Sequence, residues 1–102
     1  MAFEKVASLA GLKPGELKQV SVGGKEICLA NVGGDVLAID NKCTHVGGDL
    51  SLGDLDGDVV ECPFHGSQFN VRTGEVVQGP ARRPVTSYAA KVEGDDILVD
   101  AG

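Results

Sequence analysis

Apolar residues along the chain come in short runs, alternating in places, and glycine or small polar clusters interrupt them about every eight to twelve residues. This rhythm predicts strands over residues 16–22, 26–31, 36–40, 58–61, 67–70, 75–77, 85–93 and 97–100. Gly23-Gly24 and Gly33-Gly34-Asp35 are hairpin signals between the first three. Arg72-Thr73-Gly74 supplies a later turn, and Gly94-Asp95-Asp96 joins the last two strands. A short helical turn is expected near residues 7–12, ended by Pro14-Gly15. No segment sustains a helical apolar period. The predicted fold class is all-β, a small antiparallel sandwich or barrel.

Residues 43–67 break that rhythm. They are glycine-rich, polar and long for a connection in a chain of 102 residues, which marks a functional excursion. Both histidines of the chain lie there, each close behind a cysteine: Cys43-Thr44-His45 and Cys62-Pro63-Phe64-His65. Spacings of one and two residues let both side chains of each pair point at one metal centre. Thiolate and imidazole suit iron, zinc and copper alike, so the donor set alone leaves the metal open. Zinc fingers usually pair like with like, whereas each segment here offers one donor of each kind.

Composition narrows the partners. A formal net charge of −6 excludes nucleic acid, whose phosphates demand a basic surface, and argues against anionic membranes. The longest apolar runs are too short to cross a bilayer, and the first residues lack a basic region followed by an apolar one; a soluble cytoplasmic protein is expected. Tryptophan is absent and aromatics make up 4%, so the core must come from Val, Leu, Ile and Ala. Three cysteines are too few and too odd for a disulfide scaffold. Cys28, inside an apolar run, is expected to be a buried structural thiol and not a ligand. Arg72, Arg82 and Arg83 could flank a docking surface, but solvated surface charge is the better default. Asp49, Asp54, Asp56, Asp58 and Glu61 form an acidic stretch free of Lys and Arg, a candidate footprint for a partner. No nucleophilic triad or phosphate-cradling loop is present, so no catalytic role is expected.

The segments Cys43-Thr44-His45-Val46-Gly47-Gly48 and Cys62-Pro63-Phe64-His65-Gly66-Ser67 resemble the two cluster-binding loops of Rieske proteins. Gly79-Pro80-Ala81 resembles their proline-bearing third loop. Within that family the chain is most similar to the soluble ferredoxins of bacterial ring-hydroxylating dioxygenases, and the small subunit of cytoplasmic nitrite reductases looks similar too. The resemblance implies one domain over residues 1–102 with a cluster-binding subdomain, its loops near 43–48 and 62–67 and a proline loop near 79–84. It implies one [2Fe–2S] cluster held by Cys43, His45, Cys62 and His65, the thiolates on one iron and the imidazoles on the other. Around it stand Ser67 as a donor to a sulfide, Gly47 and Gly66 for close backbone approach, and Pro80, Val46 and Phe64 as shields. The implied function is one-electron transfer from an NAD(P)H-dependent flavoprotein reductase to a terminal oxygenase, by a monomer. The alternatives are a fixed subunit beside a nitrite reductase large chain and, more remotely, a structural zinc site.

Two departures matter. Rieske proteins of quinol-oxidising complexes add a cysteine to each loop, joined as a disulfide; the matching positions here are Gly48 and Phe64. A tyrosine near their cluster is replaced by Phe69, which removes a hydrogen bond. Two ferric ions, two sulfides and two thiolates sum to zero charge with neutral imidazoles, whereas four thiolates would leave a double negative charge. Mixed ligation therefore raises the potential, to roughly −150 to +300 mV against about −400 mV for four-cysteine clusters. With few donors to the sulfurs, the low end of that window is expected.

Overall fold

The computed structural model describes residues 3–44, 48–64 and 66–101. Its strands are β1 (Glu4–Ser8), β2 (Leu17–Val22), β3 (Lys25–Val32), β4 (Asp35–Asp40), β5 (Asp54–Asp56), β6 (Val59–Glu61), β7 (Gln68–Asn70), β8 (Val76–Gln78), β9 (Ser87–Glu93) and β10 (Asp96–Asp100). They pair antiparallel into a six-stranded sheet, ordered β1-β10-β9-β4-β3-β2, and a four-stranded sheet, ordered β5-β6-β7-β8. The edges β1 and β2 come back beside each other, so the larger sheet is nearly a barrel. The all-β expectation holds, and the expected helical turn is a single 3-10 turn at Leu9–Gly11. Among the described residues no helix is long and apolar enough to cross a membrane.

Two strands escaped the sequence rhythm for physical reasons. β1 carries a register shift between Lys5 and Ala7 against β10, which breaks its alternation. β5 is three residues long, and Leu55 is its only apolar side chain, so its pairing with β6 defines it.

β3 explains how one sheet serves two cores. It is buried on both faces, and its apolar run is correspondingly continuous. Ile27 and Leu29 point into the near-barrel, with Ala38, Ile97, Val99 and Leu12. Cys28 and Ala30 point the other way, into the cluster that holds Val60 and Phe69 of the smaller sheet and Val71 just beyond β7. Period-two alternation thus glues the sheets together through one strand.

The tight connections follow backbone geometry. Gly23 and Gly24 join β2 to β3 at φ of 56° and 81°, a pair of positive angles that two-residue hairpins demand. Gly74 has φ of 82°, and a Cβ there would run into the Val85 carbonyl oxygen. The sheets are also braced by charge. Arg72 binds Asp58 before β6 and Asp35 at the start of β4, both at 3.1 Å. Arg72 is exposed, as expected of a surface charge, and its side chain nevertheless reaches one carboxylate beside each sheet.

Cys28 is a fully buried thiol, as expected, pushed up to about 12 by that burial. The Tyr88 phenol is likewise pushed up to about 12, first by desolvation and then by its bond to Asp40 at 2.5 Å. Both groups hold their protons longer in the fold than in the unfolded chain. Their contribution is whole below about pH 9 to 10 and drains away as pH climbs toward 12. Chemical denaturation across that range should show falling stability in the native protein and a shallower fall in Tyr88→Phe; identical slopes would contradict the assignment.

Candidate metal centre

The first loop is rooted in a buried asparagine. Asn41 follows β4 and is fully buried. Its carbonyl accepts the Leu50 N–H at 2.7 Å and its side-chain oxygen accepts the Ser51 N–H at 3.0 Å. Lys42 and Asp49 pair at 2.5 Å just outside. Residues 41–42 and 49–51 are thereby joined as the feet of a narrow loop. Above them the Cys43 N–H donates to the Gly48 carbonyl at 2.8 Å.

The second loop repeats this closure. β6 and β7 form its feet through the pairing of Glu61 with Gln68, and the Cys62 N–H donates to the Ser67 carbonyl at 2.7 Å. Each loop spans six residues, opens on a cysteine and is latched by that cysteine's own amide. His45, Val46, Gly47 and His65 lie outside the described residues.

The structure brings the two predicted thiols together. Cys43 and Cys62 are 3% and 1% exposed and share one buried cluster, close enough for the Cys43 thiol to perturb that of Cys62. Burial pushes the Cys62 thiol up; the Phe64 N–H opposes that shift, while the neighbouring Cys43 thiol adds to it. Buried thiols beside each other, with a backbone N–H aimed at one sulfur, form a donor pair suited to a soft metal centre. A Cβ at Gly48 would overlap the Phe64 ring and stand 3.0 Å from the Cys62 sulfur. Glycine is therefore required where the first loop crosses the second. Gly48 and Phe64, the positions matched to the extra disulfide of another subfamily, face each other here.

Phe64 is 55% exposed, so its ring lies at the surface beside Gly48. Phe69 is fully buried in the cluster of side chains that contains both thiols. Gly66 has φ of 75°, a conformation that calls for glycine.

A third loop joins the first two. The Ala81 N–H donates to Ser67 Oγ at 3.0 Å, and Thr44 Oγ1 donates to the Arg83 carbonyl at 2.6 Å. Pro80 is exposed between them. Ser67 is thus more than a turn hydroxyl: its oxygen anchors this loop, which leaves its own proton to donate elsewhere. Sequence reasoning passed over Asn41 and Thr44. The only signal for Asn41 was a polar residue directly between an apolar strand and a candidate ligand. The acidic stretch is also less uniform than expected. Asp49, Asp58 and Glu61 are engaged by Lys42, Arg72 and Gln68, leaving Asp54 and Asp56 without a side-chain partner among the described residues.

With this geometry, comparison with known proteins is informative. A family model described as "Rieske [2Fe-2S] domain" matches residues 2–89. The biphenyl 2,3-dioxygenase ferredoxin component of Rhodococcus jostii (strain RHA1) is 43% identical over 98% of this chain and 94% of its own. The ferredoxin of carbazole 1,9a-dioxygenase from Nocardioides aromaticivorans IC177 superposes with a TM-score of 0.92 at 37% identity, covering 97% of each chain. A similar chain, with a TM-score of 0.89 at 37% identity, occurs in a complex of reduced oxygenase and oxidized ferredoxin in carbazole 1,9a-dioxygenase; 95% of this chain and 91% of that one are covered.

Removing the Ser67 hydroxyl strands a buried amide, at a cost of about 1–3 kcal/mol. Ser67→Ala should therefore lower unfolding stability by that amount and speed hydrogen exchange at the Ala81 amide about tenfold or more. Thr44→Val, whose lost bond involves an exposed carbonyl, should cost less than about 1 kcal/mol. Native exchange at Ala81 in Ser67→Ala would contradict the anchoring role.

Proposed function

Since the chain belongs to the Rieske [2Fe–2S] domain family, with one Rieske-type [2Fe–2S] cluster as its cofactor, we propose that it passes single electrons from an NAD(P)H-dependent flavoprotein reductase to a terminal ring-hydroxylating oxygenase. One observation carries this reading: two buried thiols, delivered by two identically latched loops, meet side by side. Cys43 and Cys62 would hold one iron, and His45 and His65 the other. When bound, the cluster takes up and gives back one electron at a time. The chain supplies the setting for that exchange. The Phe64 N–H supports charge on the Cys62 sulfur, Phe69 keeps water from beneath, and the Phe64 ring covers Gly48 from outside. The Ser67 proton is placed to support a sulfide, while the hydroxyl oxygen holds the third loop. The oxygenase as acceptor is supported by the complex of a related ferredoxin and by relatives named as components of dioxygenase systems.

Anaerobic titration followed by visible absorption and electron paramagnetic resonance tests this reading. One electron per chain is expected, with a midpoint near the low end of the Rieske window, about −150 mV. His45→Cys or His65→Cys should lower the potential or lose the cluster, because each adds negative charge. An unaltered signal in both variants would remove His45 and His65 from the ligand set.

A further inference from the structure

Lys5, Lys42, Arg72 and Lys91 each pair with a carboxylate within 4 Å. Arg82 and Arg83, like Lys13, Lys18 and Lys25, have no carboxylate partner within 4 Å among the described residues; what sets the two arginines apart is their place beside the first candidate cluster loop. Both are exposed. They are not on a loose loop. Prolines at 80 and 84 flank them and restrict the backbone, and the side chains of Ala81 and Val85 are buried on either side. The Ala81 amide is fixed to Ser67 and the Arg83 carbonyl to Thr44. Together with Pro80 and Thr44, the two arginines line a groove of about 390 Å³. Thr44 lies between Cys43 and His45 in the sequence, so this groove borders the first candidate cluster loop.

We propose that Arg82 and Arg83 form a pre-organised docking pair for a face of the redox partner that presents carboxylates. This deepens the carrier reading and rests on it. Guanidinium forks suit bidentate carboxylate recognition, and a pinned backbone reduces the entropy lost on docking. A nucleic acid or an anionic lipid surface would meet the repulsion of a chain of net charge −6, whereas a protein can match a local patch. The exposed acids Asp54 and Asp56 belong to β5 of the smaller sheet and not to this loop. The surface therefore offers opposite signs at different places, a basis for orienting a partner.

Stopped-flow oxidation of the dithionite-reduced, cluster-loaded protein by ferricyanide provides the test. One electron leaves each chain, ferricyanide becomes ferrocyanide, and no proton moves. If the pair dominates the field at the exit, the native rate should fall as salt rises from about 10 mM to about 0.5 M, despite the negative net charge. The double variant Arg82→Gln/Arg83→Gln should react about fivefold more slowly at low salt and show the opposite salt trend. Arg82→Lys/Arg83→Lys should keep most of the native behaviour. Poly-L-glutamate, as a carboxylate probe, should slow the native reaction and leave the glutamine variant unchanged. Unchanged visible spectra and potentials across the variants would place the effect on encounter. A native rate that rises with salt, or indifference to poly-L-glutamate, overturns the docking pair. A protein that dithionite does not bleach overturns the carrier reading itself, before any rate is measured.

Discussion

Burying two thiols beside each other is a constraint that the surrounding fold must answer. Desolvation holds the Cys62 proton on, and the neighbouring Cys43 sulfur holds it harder still. A metal resolves the conflict by replacing protons with positive charge. Cys28 shows the contrast within the same molecule. It is as deeply buried and pushed up to about 12, but it sits in mid-strand with only a weak contact to the Leu29 carbonyl. A lone buried thiol packs as a small apolar group; a facing pair with an aimed N–H is a binding element.

The architecture around that pair has one purpose at three places. Asn41 and the β6–β7 pairing close the feet of the two loops, and the cysteine amides close their tops. Thr44 and Ser67 then use one hydroxyl each to tie in the third loop, so displacement of any loop disturbs the other two. Below, Phe69, Val60 and Val71 continue from the thiols into the packing against β3, and Arg72 clasps both sheets from the side. The two candidate cluster loops thus rest on the same core that holds the two sheets together.

Much of this was legible before any coordinates, for identifiable reasons. Glycine pairs and apolar runs located β2, β3 and β4, because hairpin chemistry and alternation are local properties. The Cys-His spacings marked the site because ligand chemistry is written in residue type. β1 was not legible, since its bulge breaks alternation, and β5 has only Leu55 to announce it. Contacts that depend on long-range closure were beyond reach as well. Thr44 meets Arg83 across 39 positions, and Arg72 meets Asp35 across 37. Ser67 was legible only as a donor to a sulfide; its contact with the Ala81 amide emerges only when the third loop folds over.

The central claim is that Cys43 and Cys62 anchor an iron–sulfur centre and not a solitary structural ion. Metal and acid-labile sulfide analysis of anaerobically purified protein, beside Cys43→Ser and Cys62→Ser, addresses it most directly. The account predicts iron and sulfide in equal amounts, about two of each per chain, and loss of both from either variant. Zinc without inorganic sulfide, or native iron and sulfide in both variants, would contradict it.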